Sequence, residues 1–129
     1  MPTLKTLVEP VRTHHDARGS LFEPVDDQQL ADKRNVHVVL TAPGCVRGNH
    51  RHRVGTEISV VTGPALVRLK EDGELHDIHV PANETWKFTV PPGVGHAYRN
   101  TGTGTMVLIG FNTELHDQAN SDAIREEIL

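Results

Sequence analysis

A chain of 129 residues with 13 Lys and Arg against 17 Asp and Glu, a formal net charge of −4, is the size of one domain around one core, so a single domain over residues 1–129 is expected. Its basic side chains are scattered rather than gathered into a stripe, which argues against a nucleic-acid partner, and neither "MPTLKTLVEPVR" at the start nor any later segment has the apolar run of a signal peptide or the ~20 apolar residues of a membrane span. The one cysteine, Cys45, can form no internal disulfide, and the cytoplasm is the expected compartment.

Along the chain, apolar residues recur with a period of two or in short β-branched runs, separated by Gly, Pro and Asn clusters. "HDARGSLFEPV" (15–25) reads as a turn at Arg18-Gly19 leading into an early strand, and "DDQQLADK" (26–33) as a short polar helix. Strands are expected at 35–42, 57–63, 65–71, 75–80, 85–90, 96–101 and 105–112. Turn chemistry lies between them: Ala42-Pro43-Gly44, Thr62-Gly63-Pro64, Glu71-Asp72-Gly73, Pro81-Ala82-Asn83 and Pro91-Pro92-Gly93. Such punctuation signals an all-β sandwich or barrel. The tail "SDAIREEIL" (121–129) reads as a second short helix, with Ser121 as its cap and Glu126 and Glu127 following.

Nine histidines are the unusual feature of the composition. In the stretch "GCVRGNHRHRVGTEISVVTG" (44–63), His50 and His52 stand two apart, so a strand places both on one face while Arg51 points away. Four residues of turn then allow Glu57 to return its carboxylate toward the same point. Two neutral imidazoles and a carboxylate suit Zn²⁺, Fe²⁺, Mn²⁺ or Ni²⁺, with zinc the leading expectation, and the shell needs at least one more ligand. His96, opening a strand after the Pro91-Pro92-Gly93 turn, is the candidate. Of the other histidines, His14, His15, His76 and His116 are expected in solvent, whereas His37 and His79 lie in strand patterns that could face a barrel. Cys45 is expected to pack as a small hydrophobe.

The two segments resemble the cupin motifs. Gly44, His50, His52 and Glu57 match the first in spacing, with Gly63 one residue early. Pro91, Gly93, His96 and Asn100 match the second, with Thr85 in place of its leading glycine. The resemblance implies a double-stranded β-helix, the cupin jelly-roll barrel, whose one divalent metal ion is held by His50, His52, Glu57 and His96. More finely, "RGNHRHRVGTEISVVTGPALVRLKEDGE", "VPPGVGHAYRNTGTGTMVLIGFNTELHD" and "DARGSLFEPV" are similar to the C-terminal cupin domain of bifunctional capsular polysaccharide-assembly enzymes, and through it to nucleotide-sugar epimerases and 3,4-ketoisomerases. Residues 1–129 hold no glycine-rich nucleotide loop, so no counterpart of the capsular enzymes' reductase domain is expected within them.

The resemblance implies proton abstraction next to the ketone of a 4-keto-6-deoxy nucleotide sugar in polysaccharide or deoxysugar biosynthesis. Metal-free relatives use the first histidine of the Arg-Gly-x-His string as a base. Here His50 is expected on the metal instead. The expected proton carrier is Tyr98, on the face of His96, or His37, and Arg47 is the expected holder of a phosphate or an oxyanion. Two rivals share the ligand set: an Fe²⁺-dependent dioxygenase, and a sugar- or small-molecule-binding cupin without turnover. A homodimer using the N-terminal segment is expected, because the edges of a sheet need cover.

Overall fold

The computed structural model describes residues 3–129. The elements run β1 (Leu7–Val11), β2 (Thr13–Asp16), β3 (Gly19–Phe22), α1 (Asp27–Leu30), β4 (Asn35–Thr41), β5 (Val46–His52), β6 (Glu57–Thr62), β7 (Ala65–Glu71), β8 (Glu74–Val80), β9 (Thr85–Val90), β10 (Gly95–Asn100), β11 (Met106–Asn112) and β12 (Ala123–Arg125). They form two five-stranded sheets, ordered β1-β9-β6-β11-β4 and β12-β5-β10-β7-β8, and a small hairpin, β2-β3. All the ladders are antiparallel, and the expected jelly-roll barrel is the architecture. No helix among the described residues is long and apolar enough to cross a membrane.

Period-two patterning decides what enters the barrel. Along β4, Asn35, His37 and Val39 are half-buried while Val36, Val38 and Leu40 are exposed. Between the sheets Val61, Val67, Leu69, Phe88, Val90 and Tyr98 are sealed from solvent, with Val80 and Leu108 beside them. A second cluster forms on the outer face of the first sheet, where Phe22 and Val25 pack over Ile58, Val60 and Phe111. The segment after β1 therefore acts as a flap over half of that face. The other half, at edge strand β4, stays open.

Each predicted strand is present, and the Arg18-Gly19 turn closes β2 onto β3, with the Arg18 amide donating to Asp16. The polar helix is shorter than predicted: α1 keeps four residues, capped reciprocally by Asp26 and Gln29. Strands β1 and β2 lay outside the sequence reading. The tail requires a correction, because residues 121–129 form no helix. Ser121 does cap, but a turn: its hydroxyl accepts from the Ala123 amide. From there β12 runs beside β5, with Ala123 opposite His52 and Arg125 opposite His50. Nine residues make a marginal helix, and here the free edge of β5 offers a ladder instead. Farther on, the Asn49 side chain accepts from the amides of Ile128 and Leu129. Cys45 is a second correction: it is exposed, since it sits in the loop before β5 and not on the packed strand.

Candidate metal centre and its cavity

Three strands from both sheets deliver the four ligand candidates to one point. β5 carries His50 and His52, β6 opens with Glu57, and β10 places His96 opposite His50. One ligand atom from each of these four residues falls within 4.8 Å of the others. The rings of His50 and His96 meet edge to face at 4.5 Å between centroids, and those of His50 and His52 at 5.1 Å.

Hydrogen bonds fix how the rings present themselves. His96 is fully buried, and its Nδ1 donates to the Val94 carbonyl at 3.0 Å. That leaves the Nε2 lone pair, which finds no hydrogen-bond partner. The Nε2 of His52 is likewise buried and unpartnered, while its Nδ1 lies 3.4 Å from an Asp122 carboxylate oxygen. Glu57 stands between them, one oxygen 3.7 Å from His52 Nε2 and the other 3.5 Å from His96 Nε2. Its second oxygen also accepts from the Ser59 hydroxyl at 2.6 Å, and Ser59 in turn accepts from Tyr98 at 2.6 Å.

The titration of the cluster follows from burial and proximity. Burial pushes the His50 imidazole down to about 4, helped by its neighbour His96, so it is a neutral donor in ordinary buffer. Burial also lowers His96. For Glu57 burial alone would favour the neutral acid, yet His52, His96 and the Ser59 hydroxyl together hold the carboxyl well below its usual range. His52 is resolved the opposite way: burial opposes its charge, and Glu57 and Asp122 outweigh it, raising the ring. Two unpartnered buried nitrogens, a third neutral imidazole and an ionised carboxylate form a donor set that fits a divalent cation. An ion pair stripped from water this thoroughly would otherwise be a net cost.

His50, His52 and Glu57 form the floor of a cavity of ≈ 190 Å³, walled by Asn35, His37 and Asn112 and rimmed by Glu114, His116 and Asp122, while His96 is buried and does not line it. His37 reaches this wall because of what lies opposite it on β11. Its ladder partner is Gly110, and a Cβ there would overlap the imidazole ring; the glycine lets the ring lie across the strand. The Asn112 amide sits 3.4 Å from His37 Nδ1.

The predicted site residues thus divide. His50, His52, Glu57 and His96 converge, and His37 joins them across the cavity. Tyr98 lies behind the cluster, wholly buried, its hydroxyl committed to Ser59 and pushed well above the usual phenol range by burial and by the charge of Glu57. Arg47 is exposed at the entry of β5 and is not part of the cavity wall. His79 faces outward, as do His14 and His15, while His116, expected in solvent, stands exposed at the rim. Asn35, Asn112 and Asp122 were not picked out from the sequence. Asn112 and Asp122 lie within "FNTELHDQANSD", but no spacing rule singles them out.

Comparison with known proteins agrees with this architecture. Residues 14–124 match the family described as polysaccharide biosynthesis C-terminal domain. The chain is 29% identical over 115 residues to the UDP-2-acetamido-2,6-beta-L-arabino-hexul-4-ose reductase of Pseudomonas aeruginosa, covering 87% of this chain and 30% of that protein. It is 26% identical over 138 residues to the probable low-salt glycan biosynthesis epimerase Agl13 of Haloferax volcanii, covering 97% of this chain and 88% of that one. The crystal structure of the capsular polysaccharide assembling protein CapF from Staphylococcus aureus superposes with a TM-score of 0.68 at 27% identity, over 92% of this chain and 33% of that chain. The chain therefore spans about a third of the length of the reductase and of the capsular protein.

Proposed function

We propose, starting from the fact that the chain belongs to the polysaccharide biosynthesis C-terminal domain family, that it is a metal-dependent epimerase or isomerase of a 4-keto-6-deoxy nucleotide sugar. One observation carries the reading: unpartnered nitrogens of His52 and His96 converge with Glu57 at the base of a cavity whose wall presents an imidazole outside the cluster, His37. The names of two relatives supply the substrate class, since one reduces a 4-ulose carried on UDP and the other is described as a glycan epimerase.

His50, His52, Glu57 and His96 would hold the cation, with Zn²⁺ the first choice for such a donor set and Fe²⁺, Mn²⁺ and Ni²⁺ the alternatives. Bound there, a divalent ion supplies positive charge to the oxygen of a ketone as it becomes an enolate. Everything else falls to the chain. His37 is the proton carrier: it takes the proton from the carbon next to the ketone on the cavity side and returns it. A single carrier on one face moves a proton between neighbouring atoms without crossing the ring, the stereochemistry of a 3,4-ketoisomerisation. Inversion at a carbon needs a second carrier, and at the rim His116 is the group placed to serve. Tyr98 and Ser59 hold the Glu57 carboxylate from behind.

Incubation of the metal-loaded protein with UDP- or dTDP-linked 4-keto-6-deoxy sugars in D₂O tests this directly, with deuterium at C3, C4 or C5 and the position of the ketone read by NMR. His37→Asn is expected to slow incorporation by about 10²- to 10⁴-fold, the range of a lost general base, while cation binding is unchanged. Absence of exchange together with absence of a moved ketone or an inverted centre with every such sugar would overturn the reading.

A further inference from the structure

The tail after β11 lines the cavity rim before joining β5 as β12, and beyond His116 the isomerase reading gives it no task. Its Asp122 is placed with unusual economy. One carboxylate oxygen accepts from the Val54 amide at 2.9 Å, and the other from the Gly55 amide at 2.9 Å. That second oxygen is also the one 3.4 Å from His52 Nδ1. The ladder on each side adds backbone anchors, because the Arg53 amide donates to the Asp122 carbonyl at 2.9 Å and Ala123 pairs with His52. Gly55 completes the fit. A Cβ at that position would stand 2.7 Å from the same Asp122 oxygen, so the absence of a side chain is what lets the carboxylate approach.

We propose that Asp122 is the positioning residue of the cation site, a carboxylate that holds the proton of His52 on Nδ1 and so keeps the Nε2 lone pair facing Glu57 and His96. His96 achieves the same result by another route, through the Val94 carbonyl. Two of the imidazoles are thus fixed as donors by groups outside the ligand set, one from its own strand approach and one from the tail. Carboxylate–histidine–metal arrangements of this kind orient the ring and raise its basicity, and losing the outer partner costs roughly 10- to 100-fold in metal affinity. The tail also ties the loop at 53–56 to the cluster, since the same side chain serves both. This inference rests on reading the cluster as a cation site, but not on turnover.

The test uses the full chain. In the metal-free protein at alkaline pH, long-range ¹H–¹⁵N spectra distinguish a protonated from an unprotonated ring nitrogen, and His52 is assigned by the loss of its signals in His52→Gln. The expected result is a protonated Nδ1 and a bare Nε2; a wild-type His52 protonated on Nε2 overturns the proposal without any further variant. Zn²⁺ affinity, measured by competition with a chelator, is expected to fall about 10- to 100-fold in Asp122→Asn. Gly55→Ala, which displaces the carboxylate and leaves its charge, is expected to weaken Zn²⁺ similarly. If Asp122 merely pins the loop, Asp122→Asn lowers the melting temperature but leaves the tautomer and the affinity within about twofold, and the proposal fails. Should the wild-type chain bind no divalent cation, the metal reading falls by itself, and the tautomer measurement still decides the role of Asp122.

Discussion

The two ends of the barrel are built from the same strands and behave as different materials. Along β6 the inward residues run Glu57, Ser59, Val61, and along β10 they run His96, Tyr98, Asn100. Two steps along a strand carry the interior from an ionised carboxylate to a sealed valine. Toward the closed end Val61, Val67 and Phe88 exclude solvent entirely, while Leu69 and Val90, the ladder partners of His96 and Glu57, seal the cluster from the side. At the other end His50, His52 and Glu57 line a cavity with His96 buried against them, and two nitrogens are left bare. The comparison teaches that the apolar end supplies the rigidity and the polar end uses it. Imidazoles held with spare lone pairs are tolerable only where the surrounding strands forbid them to turn away and find partners.

The largest effect is expected from removing the one anionic ligand. Glu57→Ala should abolish Zn²⁺ binding at concentrations that saturate the parent, read by calorimetric titration, while the fold persists by circular dichroism; a variant binding as the parent does would mean the cation sits elsewhere. Next comes the closed end. Phe88→Ala should cost about 3–5 kcal/mol of stability, the usual penalty for emptying a large aromatic site, measured by urea unfolding, with metal stoichiometry unchanged in the folded fraction. Loss of stoichiometry there would show that the two ends are not separable.

The smallest effect sharpens the comparison through pH. His50, pushed down to about 4, and His96, also lowered, resist protons in the folded state, whereas their unfolded counterparts take them up near 6.5. An unfolded state that binds more protons gains on acidification. Stability of the chelator-treated chain should therefore fall as pH drops from about 6.5 toward 4. His52, raised, gains stability only as pH falls from its raised folded value to 6.5 and is constant below that, while Glu57 keeps its contribution down to its unfolded value near 4.5 and begins to lose it there, adding to the fall. Melting temperatures between pH 7.5 and 4.5 check the sign: a flat or rising trend on acidification would break it. The Phe88→Ala deficit should be the same at every pH.

The cluster was legible in the sequence and much of its setting was not, for a physical reason. His50, His52 and Glu57 lie close in the chain and His96 follows a Pro-Gly turn, so local geometry constrains them and the strand period does the rest. His37 was readable only as one of two strand histidines, because the sequence shows which face a residue takes but not whether that face meets a cavity. His79, with the same local pattern, faces out. Tyr98 shares the face of His96 as expected, yet lies deeper, where its hydroxyl reaches Ser59 and it does not line the cavity. The tail was misread because its propensities describe an isolated segment, and the edge of β5 and the Asn49 side chain belong to the fold. Asp122 shows the same limit: its three partners come from residues 52–55, nearly seventy positions earlier.

Gly110 separates two possible lives for this barrel. Because the His37 ring rests where a methyl group would lie, replacing that hydrogen by the smallest side chain would swing the imidazole out of the chamber and leave the four donors beneath it undisturbed. On the proposed function, such a descendant would still sequester a sugar against an ion but would have lost its proton carrier. If that function holds, catalyst and receptor stand one codon apart.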